Sequence, residues 1–209
     1  MFQTLAMAHK NNVSVGAHPS YNDREGFGRR VIPMAPAEIG RMVAAQIGAL
    51  ISMAKLAGTS VSYVKPHGAL GNLAARDTNV ATEIASVVFQ IDPALAILAV
   101  SGTALEDAAR SAEIPVYSEI FADRGYLSSG QLVPRGQDGA MIHDAQEAAE
   151  HLLSFLRTGH MPVIDGDPIP LDAHSICVHG DNSTAVTMAR EIRERLLAAG
   201  FVVKHFMPT

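Results

Sequence analysis

The chain has 209 residues, enough for one domain with a sizeable core. Hydrophobic residues make up 48% and charged residues 18%, a balance that excludes a disordered chain. The net charge of -5 excludes the basic face that nucleic-acid binding needs, and the single cysteine, Cys177, excludes an intrachain disulfide. No apolar run is expected to reach the roughly 18 residues of a membrane helix. The N-terminus lacks a basic-then-apolar signal pattern. A soluble cytoplasmic protein without membrane or nucleic-acid partners is the expectation.

Phe2 to Asn11 read as a helix, and Val13 to Ala17 as a short strand running into His18-Pro19. Tyr21 to Arg30 is polar and glycine-punctuated, hence a loop. Pro36 and Glu38 suit the first turn of a helix. Ile39, Val43, Ile47 and Ala54 then recur at helical spacing as far as Gly58. Val61 to Lys65 is β-branched and apolar, a strand, and Pro66 and Gly68 force a turn after it. Asp77 caps a helix through Val80, Ile84 and Val88. Ala96 to Val100 is a buried strand type, and a helix over Ala104 to Ala112 leads to a strand at Val116 to Phe121.

Leu127 to Ile142 is long and irregular, the kind of loop that often carries function. Asp144 caps a helix reaching Arg157, and the short stretch near Val163-Ile164 is assigned to no element. His174 to His179 is another strand, Ser183 or Thr184 opens the last long helix, and Phe201 to Val203 reads as a final strand. Strand and helix alternate with no break in composition, and apolar strands belong in a parallel sheet. The fold class is therefore α/β, one domain over residues 1–209, either barrel or doubly wound. Neither G-x-G-x-x-G nor a Walker lysine motif is present, so no dinucleotide or P-loop ATP site is expected.

Ionisable residues stand at strand ends: His18, then Lys65 and His67, then Glu119, Asp123 and Arg124, then His179 and Asp181. Strand carboxyl ends of a parallel sheet share one side of a domain, which is where α/β folds place chemistry. Each residue alone has a plain alternative. A strand-end histidine is often a cap, Asp123 and Arg124 make a local ion pair, Arg29 is a solvated loop residue, and Tyr21 covers core. Glu119 inside a strand needs a partner, for which Lys65 or Arg124 are the candidates. Histidine or carboxylate can serve as a base on water, and lysine or arginine can hold a carboxylate or phosphate. His18, His67 and His179 also have the donor chemistry for a divalent metal, although no H-x-x-x-H or C-x-x-C spacing marks a site. Hydrolysis of a small acidic or amide substrate fits this set.

The runs Val15 to Tyr21, Gly26-Phe27-Gly28-Arg29-Arg30, Val64 to Leu70, Glu119 to Arg124, Leu132 to Arg135 and Ile176 to Asp181 resemble, in order, the signatures of the LamB/YcsF family. That family contributes the A component of bacterial 5-oxoprolinases. The resemblance implies an irregular seven-stranded β/α barrel akin to glycoside hydrolase/deacetylase barrels. It implies ATP-dependent opening of the 5-oxoproline ring to L-glutamate, with ATP as co-substrate and subunits B and C as partners. On that reading Lys65, His67 and Asp123 are catalytic, with His67 or Asp123 as the base. Lys65 and Arg124 hold anionic groups, and His18, Tyr21, Arg29, Glu119, His179 and Asp181 contact substrate. A homo-oligomer is compatible with all of this.

Two departures accompany the resemblance. The family opens with an Asp- and Asn-rich strand and a Gly-Phe-His-Ala-Gly-Asp-like stretch, and this sequence starts after both, so the barrel is expected to lack its first strand. Gly71 stands where the family carries a tyrosine, which is expected to remove an aromatic wall beside Lys65 and His67. Two other functions remain in play. One is a metal-dependent amide or carbohydrate deacetylase on a related barrel. The other is an inactive, truncated subunit that keeps only partner binding.

Overall fold

The computed structural model describes residues 1–179, 183–205 and 207. The chain falls into two compact units, Met1–Tyr117 and Ser118–Thr209, with the boundary inside a strand. The α/β class expected from the alternation is present: among the described residues there are seven helices and seven strands.

In the first unit, helix α1 (Phe2–Lys10) precedes β1 (Val15–Ala17), α2 (Pro36–Leu56), β2 (Val61–Val64), α3 (Gly68–Ala74), α4 (Thr78–Ile91), β3 (Ala96–Val100) and α5 (Ala104–Ser111). β1 pairs parallel with β2, Ala17 opposite Val64, and β2 pairs parallel with β3, Val64 opposite Ile97. Sequence reasoning did not foresee α3, reading Pro66 and Gly68 only as a sharp turn. Pro66 has no N–H to give a helix, so the helix waits until Gly68, with His67 extended at its N-cap position. α4 begins where Asp77 takes the backbone N–H groups of Asn79 and Val80.

Helix α2 corrects one expectation: at 21 residues it is long and apolar enough to cross a membrane. Its Ile39, Val43, Ile47 and Ala54 are nevertheless buried, and the helix packs against α4. That stripe recurs at helical spacing and joins Val64, Leu70, Ile84, Val88 and Ile97 in one core.

The second unit carries most of β4 (Val116–Phe121), then α6 (Ala145–Thr158), β5 (His160–Met161), β6 (Ile169–Pro170), β7 (Ser175–Cys177) and α7 (Ser183–Ala198). β4 and β7 run parallel, with Glu119 opposite Ser175 and Phe121 opposite Cys177. A short strand lies just before the unassigned Val163-Ile164 stretch, at His160–Met161, and pairs antiparallel with Ile169–Pro170. Phe201 to Val203 form no strand. Three apolar residues after a C-terminal glycine give the right pattern, but two of them, Val202 and Val203, are largely exposed. The core here is Ile120, Leu152, Phe155, Met161, Ile192 and Leu196, with the buried ring of Tyr126.

The long segment 127–142 is folded back on itself by backbone bonds. Leu127 N–H reaches Gln131 O, Val133 N–H reaches Gly125 O, and Ile142 N–H reaches Asp123 O. Gly125 is required there: a Cβ on it would stand 2.0 Å from the Gly139 carbonyl oxygen. Two substitutions test this frame by urea unfolding. Gly125→Ala should cost roughly 2–3 kcal/mol, because backbone must move to admit the methyl. Asp77→Ala should cost about 1 kcal/mol, the worth of one helix cap.

Candidate active site

In the first unit the register of β1 and β2 does the placing. Ala17 lies opposite Val64, so the next residues, His18 and Lys65, leave the sheet side by side. The backbone keeps them there: Lys65 N–H donates to Ala17 O at 2.9 Å and His67 N–H to Pro19 O at 2.8 Å. His18 Nδ1 lies 2.6 Å from Lys65 O. A carbonyl only accepts, so Nδ1 carries the proton and donates it. The His67 ring stands edge-on to His18, centroids 4.8 Å apart.

These rings open on a cavity of about 740 Å³ that Tyr21, Met42 and Gln46 also line, within the range of small-molecule sites. Tyr21 is buried, its hydroxyl has no hydrogen-bond partner, and burial pushes its pKa up against the opposing charge of Arg76. The phenol therefore keeps its proton. Gln46, from α2, holds Ser20 at both ends of its peptide, with Oε1 taking the N–H and Nε2 giving to the carbonyl.

The loop Tyr21 to Arg30 is built around Asp23. Its carboxylate takes the Gly26 N–H and the Arg30 guanidinium, and its carbonyl takes the Gly28 N–H at 2.9 Å. The loop docks on α3 through Ala69 N–H to Gly28 O at 3.0 Å. Gly68 is needed at that contact, since its φ is +57° and a Cβ would lie 2.6 Å from Gly28 O. Arg29 sits 5.3 Å over the Phe27 ring. Sequence reasoning gave no role to Asp23, Phe27 or Gln46, although Phe27 lies in one of the runs that carry the family resemblance. The glycines on either side of Phe27 were the available signal.

Gly71 has a structural reason. A Cβ there would come within 2.6 Å of Pro66 O, so any larger residue requires this backbone to shift. The expected loss of an aromatic wall becomes a close helix-to-turn contact.

In the second unit the register of β4 and β7 plays the same part. Phe121 pairs with Cys177, and two residues on, His179 Nδ1 meets Asp123 Oδ2 at 2.8 Å. Burial raises the Asp123 pKa, but the hydrogen bond and charge of His179 outweigh that, and the net shift is downward. Asp123 is then a carboxylate that accepts from Nδ1–H, and it holds the ring with Nε2 as the proton acceptor. Asp123 Oδ1 is buried with no partner.

Glu119 is buried, with Ser175 Oγ 3.4 Å from its Oε1, a neighbour that sequence reasoning did not name. Arg124, expected to hold an anion, is buried and directs Nε to Ala140 O at 2.9 Å and Nη2 to Val133 O at 2.6 Å. It clamps the 127–142 loop. Cys177 is buried and forms no disulfide. Asp181 lies outside the described residues. Among the described residues no three His, Cys, Asp or Glu side chains are grouped to hold a metal ion; His18 meets His67, and His179 meets Asp123.

Histidines held through Nδ1 at the ends of parallel strands, one of them at a largely apolar cavity, mark an α/β protein with a candidate small-ligand site. The whole chain, residues 1–209, matches the model of the LamB/YcsF family. The chain belongs to that family. It is 45% identical to a protein of Azorhizobium caulinodans that is named as the A component of 5-oxoprolinase, covering 100% of this chain and 82% of that one. A protein of the same name from Chloroflexus aggregans is 47% identical, covering 98% and 81%. A solved structure, the lactam utilization protein of Thermus thermophilus, superposes with a TM-score of 0.87 at 40% identity, covering 95% of this chain and 79% of that one.

Arg30 holds the Asp23 carboxyl down from 3.8 to about 2. A depressed carboxyl adds stability above its unfolded value and loses it as pH falls through its folded one. The Asp23 contribution should thus be complete above pH 3.8 and vanish by about pH 2. Urea unfolding across this window should show the wild type losing stability relative to Asp23→Asn as pH falls.

Proposed function

We propose that the chain is the A component of a 5-oxoprolinase and takes part in hydrolysing 5-oxoproline to L-glutamate. The observation that carries this reading is the His18–His67 pair at a largely apolar cavity, in a chain alike along its whole length to proteins of that name. A five-membered lactam is an unactivated amide, so its opening needs driving. ATP supplies the drive: its terminal phosphoryl passes to the lactam oxygen, water adds to the same carbon, and the C–N bond breaks as the ring nitrogen takes a proton. ADP has then left and the ring-opened product is γ-glutamyl phosphate, an acyl phosphate, which a second water hydrolyses to glutamate and phosphate. The chain has no P-loop, and phosphoryl transfer is assigned to partner subunits B and C.

The chain's own residues meet the remaining needs. Lys65, at the end of β2, stabilises anionic groups on the substrate. His67 is a proton acceptor in the first unit, and His179, oriented by Asp123, is one in the second. His18 and Tyr21 supply hydrogen bonds to the ligand, and Arg29 adds positive charge at the loop. Glu119 and Arg124 act through the loop and strand that they brace. The protein works in the cytoplasm.

Glutamate release from 5-oxoproline, assayed with subunits B and C and ATP, tests this. Lys65→Ala and His67→Ala should each lower turnover by about a hundredfold or more, with the fold retained by circular dichroism. Asp123→Asn should lower kcat at nearly unchanged KM. No glutamate from a wild-type mixture whose B and C subunits are active with another A component would overturn the assignment.

A further inference from the structure

Phe27 is held against its own preferences. Its backbone is left-handed, φ +54°, a conformation that L side chains seldom adopt, and its ring is 57% exposed. Neither burial nor local comfort accounts for a phenylalanine here. The surrounding loop over-determines the position. Phe27 lies between Gly26, whose N–H is fixed by the Asp23 carboxylate, and Gly28, whose N–H is fixed by the Asp23 carbonyl. Neither glycine tolerates a side chain: a Cβ on Gly26 would lie 2.1 Å from Asp23 Oδ2, and one on Gly28 2.9 Å from Ser20 Cβ. Strain kept in place by so many contacts is a mark of function.

Besides carrying the Arg29 guanidinium over one face, the ring has a further use in view. It lines the 740 Å³ cavity and stands perpendicular to the His67 imidazole, 88° between planes and 5.3 Å between centroids. We propose that Phe27 is the specificity wall of this pocket, packing on the methylene face of a small cyclic amide and fixing the plane of the His67 ring beside it. This deepens the 5-oxoprolinase reading and rests on it. A five-membered lactam has a polar N–C=O edge and, opposite, two ring methylenes. The cavity offers hydrogen-bonding groups at His18 and His67 for the first and the Phe27 face with Met42 for the second.

Phe27→Gly separates this role from a structural one, because the two predict opposite signs. Glycine relieves the left-handed strain and uncovers little core, so thermal stability should hold or rise. With subunits B and C and ATP, the KM for 5-oxoproline should rise about tenfold, and Phe27→Leu should recover part of it. A lower melting temperature with unchanged KM would make Phe27 a scaffold residue and overturn the proposal. If the wild type yields no glutamate, the underlying reading fails first. The wall is then tested by NMR on the full chain: 5-oxoproline should shift the Phe27 ring and His67 resonances in the wild type. Absence of those shifts also overturns the proposal.

Discussion

The hydrogen bond from the His18 ring to the Lys65 carbonyl joins the ends of β1 and β2. It exists because the parallel register sets Ala17 opposite Val64, which brings the first residues beyond each strand together. Much of the first unit's site follows from it. The bond consumes Nδ1 of His18 and so fixes where that ring stands at the cavity. It is flanked by His67 N–H to Pro19 O, which sets where the second histidine leaves the backbone, and by Ala69 N–H to Gly28 O, which ties in the Phe27 loop. Each link is backbone on at least one side. The site is therefore positioned by the main chain, and its side chains are left for chemistry.

The second unit repeats the logic with different groups. There a carboxylate, not a carbonyl, takes the Nδ1 proton of the strand-end histidine. The difference matters electrostatically. A carbonyl dipole fixes a tautomer, whereas a carboxylate also stabilises the imidazolium formed when the ring accepts a proton. His179 is thus better furnished for proton transfer than its exposed, carbonyl-bound counterpart His18, which suits hydrogen bonding to a ligand.

The strand ends were legible in the sequence because their signals are local. β-branched apolar runs that stop at Pro or Gly gave β2, and the same apolar-run signal gave β3 and β4, within a residue. Asp77 and Asp144 read as caps and act as caps. What sequence did not carry was pairing. Nothing local says that Asp123 and His179, 56 positions apart, share a hydrogen bond. Nor does it say that Arg124 would spend its charge on loop carbonyls, because a buried arginine and an anion-binding one look alike in sequence. α3 was missed for a related reason: Pro66-His67-Gly68 reads as a breaker, yet the residues that stop one element also start the next. Gly71 was read only for its missing side chain, and the backbone contact that a Cβ would make with Pro66 O was invisible.

Asp123 and Arg124 show how the second unit couples its loop to its histidine. Successive side chains in extended backbone point to opposite sides. Here the first reaches the end of β7 and the second enters the 127–142 loop, where Arg124 and Met141 form an isolated antiparallel bridge. The loop gives Arg124 two carbonyls, and in return its own Ile142 N–H binds the carbonyl of Asp123. The Asp123 backbone is thereby fixed from the loop side while its carboxylate is fixed by His179. A guanidinium this deeply buried needs nearby negative charge or dipoles, and it has both, the carbonyls by contact and the Asp123 carboxylate as a chain neighbour whose pKa it helps to lower. Shifting the loop by the width of a methyl at Gly125 would then disturb more than local packing, because the chain from Gly139 through Arg124 to Asp123 ends on the His179 ring.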